Sequence, residues 1–354
     1  MLLLILAGLI LAVQPALAAD AGPVCGVYGF DPKSAAFKGK TPERIAEALS
    51  SWGVNAVFGG YKDPLLRKAL RGRGIRVFAE LTAFAGERHW KTRPESRPVS
   101  EVGEPLAKVK WYAAVCPNQT WLRLDIKKRA VSLVRKQEVD GVWLDFIRYP
   151  GHWEVPEPHL EQTCFCPVCL REFRKETGVA VPEELTAREK ARWILSDHKE
   201  RWTAFKTASI AGLVSEVADA VHAADPAALV GYFAVPWERS EKRGAVLEIL
   251  GQDHRLMGRA ADVVSPMAYH ALLRRPASWI TDASMAVKAD SGKPVWPIIF
   301  VGDAEHPLGP GELRAAADAA WQGGSGGLIL FDLGKLAEAG RLGELPALFS
   351  ACLD

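Results

Sequence analysis

The chain has 354 residues, 49% of them hydrophobic and 24% charged, with a formal net charge of +2. This is the composition of a globular protein. The near-neutral balance gives no signal for nucleic acid or for a polybasic membrane contact. Twelve tryptophans are many for this length; they suit a large core, and also the apolar C–H faces of sugar rings.

Residues 1–18 read as a signal peptide. Leu2 to Val13 form one apolar run, and Ala16-Leu17-Ala18 has the small-x-small pattern of a cleavage site. The run is too short for a comfortable membrane span. The expectation is an exported protein, periplasmic or secreted, with no further membrane contact and a mature chain starting near Ala19. Residues 19–354 are then expected to form a single domain.

Strand-like and helix-like segments alternate from there on. Residues 25–30 form a short strand, and 42–52 an amphipathic helix with Thr41 as N-cap and Pro42 at its first position. A second strand spans 55–59, a helix 65–73 closed by Gly74, and a third strand 75–82, carrying Glu80. A long polar connection over 83–117 leads to a helix at 121–137. The fourth strand lies in Asp140-Gly141-Val142-Trp143-Leu144-Asp145-Phe146-Ile147-Arg148-Tyr149-Pro150, an apolar run holding one acid and stopped by a proline. An insertion over 151–196 contains three clustered cysteines. A long helix follows at 197–224, then strands at 229–237, 263–270, 295–301 and 328–332. Helical stretches at 245–261, 278–289 and 310–321 separate these strands, and a last helix runs to the C-terminus.

Eight strand-helix units with nearly continuous apolar strands predict a parallel sheet covered on both faces. Eight is the number that closes a (β/α)8 TIM barrel, with the Cys-rich insertion after strand four. No Gly-x-Gly-x-x-Gly follows the first strand, which argues against a dinucleotide fold.

In such barrels chemistry sits at the C-terminal ends of the strands. The polar residues expected there are Glu80 from strand three, Asp145 and Arg148 from strand four, Tyr232 with Trp237 and Glu238 from strand five, Tyr269 and His270 from strand six, Asp303 from strand seven and Asp332 from strand eight. Asp253 lies in the loop region after strand five. A ring of carboxylates with aromatics fits glycoside hydrolysis, which needs two carboxyl groups around an oxocarbenium-like centre. Asp145 is the first candidate, since an acid in an apolar run is costly to bury without a partner or a task. Glu238, Glu80 and Asp253 are the candidates for its partner carboxyl. Tyr269, His270, Arg148, Tyr232 and Asp332 would bind substrate, with Trp237 and Trp153 as stacking platforms. A structural ion pair of Asp145 with Arg148 and a helix cap at Asp332 are the structural alternatives. The only Gly-x-Ser-x-Gly is the tight turn Gly323-Gly324-Ser325-Gly326-Gly327, which follows a helix and precedes strand eight where a nucleophile elbow needs the reverse, and there is no His-Glu-x-x-His; serine hydrolase and zinc protease chemistry are disfavoured.

Six cysteines are present. Cys164, Cys166 and Cys169 form a Cys-x-Cys-x-x-Cys cluster, whose spacing suits a structural zinc site completed by Cys116, with His152 and His159 as competing fourth ligands. Disulfides are the alternative in an exported chain. Cys25 and Cys352 sit on the first strand and the last helix, which a closed barrel brings together, so they are the disulfide candidates. Asn118-Gln119-Thr120 matches a glycosylation sequon.

The strand-four run, together with Ser265-Pro266-Met267-Ala268-Tyr269-His270, resembles secreted family-10-like glycoside hydrolases. That resemblance implies a barrel acting on an extracellular or envelope carbohydrate. Cys116 with Cys164, Cys166 and Cys169 is similar to the zinc cluster of zinc-containing β-galactosidase barrels and implies the same metal. The likeness to that family ends at the chemistry, because strand four lacks its Asn-Glu motif and carries Asp145. Met267-x-Tyr269 resembles chitinase-like barrels, but Ile147 and Arg148 stand where their catalytic Glu would be. The alternative to an enzyme is a non-catalytic carbohydrate-binding barrel.

Overall fold

A computed structural model describes residues 22–353; the expected signal peptide, 1–18, lies outside them. Eight parallel strands are present: β1 (Val24–Phe30), β2 (Ala56–Gly59), β3 (Arg76–Thr82), β4 (Gly141–Asp145), β5 (Leu229–Ala234), β6 (Val263–Pro266), β7 (Ile298–Phe300) and β8 (Gly327–Phe331). Their order is β6-β5-β4-β3-β2-β1-β8-β7. The seam between β6 and β7 is closed by parallel bridges at Val264–Val295 and Met267–Ile298. The architecture is a (β/α)8 TIM barrel.

Local signals explain most of the elements. Helix α1 (Pro42–Ser51) starts at Thr41, whose side chain accepts from the Arg44 amide, and α2 (Pro64–Arg71) starts at Asp63, which accepts from Leu65 and Leu66. Short helix α3 (Glu87–Thr92) lies inside the 83–117 connection. Helix α4 (Thr120–Gln137) delivers β4. The insertion holds α5 (Pro167–Thr177) and α6 (Ala187–Asp197), and α7 (Lys199–Ala224) leads back to the barrel.

The expected helix over 245–261 is instead two single turns, α8 (Ala245–Glu248) and α9 (His254–Met257). Gly251 between them has φ of 66° and packs against Tyr149 and Ile210. The buried Gln252 side chain then bonds Val235 N, Ile147 O and Phe233 O, so it ties loops together where a helix would continue. The last helix is likewise broken, into α12 (Leu333–Glu338) and α13 (Leu345–Leu348), with Gly340 at φ of 68° between them. Helices α10 (Trp279–Ser291) and α11 (Glu312–Gln322) complete the outer ring.

The barrel interior is aromatic. Trp143 of β4 is fully buried, stacks on Trp296 at 5.2 Å and donates its indole N–H to Ser265 Oγ at 3.0 Å. Gly231, its register partner on β5, makes room for it: a Cβ there would stand 2.3 Å from the indole. Phe58 and Phe78 pack against the same ring. Truncating Trp143 would cost about 3–5 kcal/mol. This plug closes the barrel below the strand ends and leaves the site above it. Cys25 and Cys352 are disulfide-bonded, joining β1 to the C-terminal segment.

Candidate functional site

At the C-terminal ends of the strands is a cleft of about 440 Å³. Glu80, Asp145, Glu154 and Asp303 contribute carboxylates to its lining, and Tyr28, Trp111, Phe146 and Tyr269 contribute rings.

Asp145 is the last residue of β4. The chain turns sharply after it, because Phe146 adopts φ of 51°, a left-handed conformation that a bulky residue holds only at a cost of about 1–3 kcal/mol. The turn aims the Phe146 amide at Asp145 Oδ1, at 2.7 Å. Burial first, and then the charge of Glu80, push the Asp145 carboxyl up to about 7; the Arg148 cation and the Phe146 amide pull the other way.

Glu80 reaches the same cleft from the neighbouring strand, where Thr82 is in register with Asp145. Its Oε2 accepts a short hydrogen bond from Tyr28 Oη, and its Oε1 accepts from Thr82 Oγ1 at 3.0 Å. Two hydroxyl donors therefore fix its orientation. Burial raises the Tyr28 phenol, which stays a donor.

The other sequence candidates are placed differently. Glu238 is exposed and outside the cleft lining. Asp253 caps α9 through the Arg255 amide and pairs with Arg239 at 3.1 Å, also outside the lining. Asp332 caps α12 by accepting from the Lys335 amide at 2.8 Å. Tyr232 is buried and bonds His254 Nδ1. His270 is buried and pairs with Glu312 at 3.1 Å. None of these three opens into the cleft lining.

Trp153 and Trp237 are buried as well. Trp153 stacks on Tyr269 at 5.9 Å with Trp237 against its edge, so both back Tyr269 and present no face to a sugar. Arg148 is almost completely buried, with its guanidinium 4.8 Å over the Phe146 ring and no protein partner for Nε or Nη1. It acts on Asp145 by its charge and forms no direct ion pair.

Tyr28, Glu154, Trp111 and Phe146 are among the lining residues that the sequence does not single out. Tyr28 stands near the end of β1, so the strand-end rule covers it once β1 is included. Glu154 follows Trp153, and of that pair it is the glutamate that faces the cleft. Trp111 carried no signal beyond being aromatic, because the fold of the 83–117 loop brings it over the barrel, and Phe146 enters the lining through the left-handed turn that follows β4.

A second cluster lies beyond β4. Cys116, Cys164, Cys166 and Cys169 are buried, with all ligand atoms within 4.8 Å of one another. Cys116 Sγ is 3.6 Å from Cys166 Sγ and 3.4 Å from Cys169 Sγ. A tetrahedron with metal–sulfur bonds of about 2.3 Å has edges of about 3.8 Å, so the residues fit a tetrathiolate centre. Val99 N–H donates to Cys164 Sγ at 3.4 Å and Asn118 Nδ2–H to Cys169 Sγ at 3.2 Å, outer hydrogen bonds of the kind that orient metal-ligating side chains. Hydrogen bonding among the thiols pushes Cys116 up and Cys166 far down, while burial raises Cys169.

The sequon residue Asn118 is thus buried within this cluster; it also donates to Tyr149 Oη and accepts from Ser209. His152 lines the carboxylate cleft and His159 pairs with Glu161 on the surface, so neither enters the cluster. Nearby, Lys206 is fully buried; burial pushes its amine down to about 7, and Gln162, Glu248 O and Ile249 O accept from it.

No family model matches the chain, and no curated protein matches it. Solved structures do. The chain is similar to the glycoside hydrolase domain of PgaB (BpsB) from Bordetella bronchiseptica, with a TM-score of 0.68 and 14% identity over 93% of this chain and 98% of that one. It is similar to the β-galactosidase of Bacillus circulans sp. alkalophilus, with a TM-score of 0.63 and 15% identity over 88% of this chain and 50% of that one. The cold-adapted β-galactosidase of Rahnella sp. R3 gives 0.65 and 14%, over 94% and 57%. The chain therefore spans about half the length of these β-galactosidases and nearly all of the PgaB domain. At such identities the shared property is the fold, the barrel of these glycoside hydrolases. No helix among the described residues is long and apolar enough to cross a membrane.

Proposed function

We propose that this protein is a glycoside hydrolase acting on an extracellular or envelope polysaccharide or oligosaccharide. The observation that carries the reading is the carboxyl pair of Asp145 and Glu80: two acids on adjacent strand ends of one cleft, with Asp145 raised to about 7. A group that keeps its proton near neutrality can protonate a leaving oxygen, and an oriented carboxylate across from it can act as nucleophile or activate water. Asp145 is assigned as the acid and Glu80 as the base or nucleophile, with Tyr28 and Thr82 holding Glu80. Tyr269 and Trp111 contact the sugar rings, and Arg148 tempers the rise of Asp145 from behind Phe146.

The four cysteines are assigned to zinc. Four protein ligands leave no open position, so the metal would shape the loops around Asp145 and take no part in the reaction. Residues 1–18 are assigned as a cleaved export signal, and 19–354 as one barrel domain with the insertion 151–196.

A glycan-library screen of the purified protein, with Asp145→Asn and Glu80→Gln as controls, tests the function. Release of reducing ends by the parent protein and its loss in both variants is the expected result. Binding without release would make the barrel a carbohydrate-binding module. Metal analysis tests the cluster: one zinc per chain is expected, and oxidised cysteines without metal would refute it.

A further inference from the structure

A second cavity, of about 380 Å³, adjoins the carboxylate cleft. The two share Trp111 and Phe146, so an aromatic ridge divides them. Trp111 is 61% exposed and meets the Phe146 ring edge-on at 5.7 Å.

The charge on the two sides of this ridge is opposite. The cleft collects Glu80, Asp145, Glu154 and Asp303, whereas the neighbouring cavity is lined by Arg88, His89 and Arg129 and by no carboxylate. Arg129 is pinned to its wall by Thr82 O at 3.2 Å and pairs with Asp125 at 2.8 Å. Glu87, next to Arg88, is drawn off by Lys108 at 2.6 Å. Arg88 itself is exposed, and no carboxylate among the described residues lies within ion-pair distance of it. Burial first, and then Arg88 and Arg129, hold the His89 imidazole toward its neutral form, against the pull of Asp125.

A saccharide chain crossing Trp111 would place one ring over the carboxyl pair and the next beside Arg88 and Arg129. An anionic substituent is repelled in the first position and attracted in the second. Guanidinium groups are suited to carboxylate and sulfate through paired N–H donors. We propose that the Arg88–Arg129 cavity is a subsite for an acidic sugar, one bearing a carboxylate or a sulfate ester, adjacent to a neutral sugar held over Asp145 and Glu80. This rests on the glycosidase reading and adds the substrate class to it.

The test is calorimetric binding to the full-chain Asp145→Asn variant, which needs no turnover. Matched oligosaccharides are compared: a uronic-acid-containing one, its carboxyl-reduced counterpart, and a sulfated one on the same backbone. The acidic forms are expected to bind about tenfold more tightly than the reduced form, and Arg88→Gln or Arg129→Gln added to this variant to shrink that ratio toward one. Raising the salt should shrink it too. The uronic and sulfated arms show which anion is preferred. Equal binding of acidic and reduced forms, a ratio unaffected by Arg88→Gln, or no binding by any member would each overturn the subsite. Hydrolysis of the same panel by the parent protein separates the two proposals. Cleavage without acid preference removes the subsite and keeps the glycosidase, whereas Arg88-dependent acid binding without cleavage does the reverse.

Discussion

The carboxylate cleft and the four-cysteine cluster flank the chain where it leaves β4, and they are built on opposite terms. In the cleft, like charges are crowded together, one acid is held near 7, and space for a ligand remains open. In the cluster every ligand residue is buried, two of the sulfurs accept N–H bonds, and a sequon asparagine is turned inward to serve as a donor. Both draw on the 83–117 loop, which supplies Trp111 to one and Cys116 to the other. The difference separates a region of crowded, unsatisfied charge from one whose polar groups are satisfied within the fold. Perturbed acids of this kind cluster at functional sites, which is why the cleft and not the cluster is proposed for chemistry.

Breaking the two regions separately should therefore give opposite outcomes. The largest effect is expected for Asp145→Asn, with turnover falling about 10³-fold or more in a steady-state glycosidase assay while the circular dichroism spectrum stays that of the parent. Next, if the proposed zinc is bound, Cys166→Ser should lower unfolding free energy on the order of 4 kcal/mol in a denaturant titration and release it, with activity falling only as folded protein is lost. Cutting the Cys25–Cys352 disulfide by Cys352→Ser should cost about 3 kcal/mol in the same titration, through freedom regained by the unfolded chain.

The smallest effect sharpens the contrast most, because its sign is inverted. The folded-state pKa of Asp145 is raised above its unfolded value, so its contribution is fully favourable below about pH 4 and is lost as pH rises toward about 7. Asparagine does not titrate. Asp145→Asn should thus match the parent near pH 3 and exceed it by roughly 2 kcal/mol at pH 8, read as a rise in Tm of a few degrees. Activity of the parent should also decline as pH passes about 7, when Asp145 gives up the proton it donates. A variant no more stable at pH 8 than the parent would show that the Asp145 site is not under strain.

Much of the barrel was legible because its signals are local. Strand apolarity and Thr41-Pro42 at α1 each act within one element. The helix expected over 245–261 failed for a non-local reason: Gln252 is claimed by backbone groups at the end of β5 and in the turn after β4, and no periodicity within the segment reports that. Among the site residues, Asp145 and Glu80 could be read from strand ends, since β-strand register fixes where they emerge. Glu238 and Asp253 could be nominated by the same rule, yet the loop after β5 turns them to solvent or to Arg239. Trp153 and Trp237 show the limit of composition, because a tryptophan that stacks on sugar and one that backs a tyrosine are alike in sequence.

The sequence by itself determined the number of strands, the position of Asp145 at the rim and the cysteines that could gather. These follow from periodicity, spacing and the covalent order of the chain. Only the tertiary structure decided that Glu80, with Tyr28 behind it, shares the cleft of Asp145, that Cys116 completes the cluster ahead of His152 and His159, and that Trp111 divides an acidic cavity from a basic one. Each of these is a contact between segments far apart in sequence. Such contacts are selected by burial and charge over the whole molecule, which no single segment encodes.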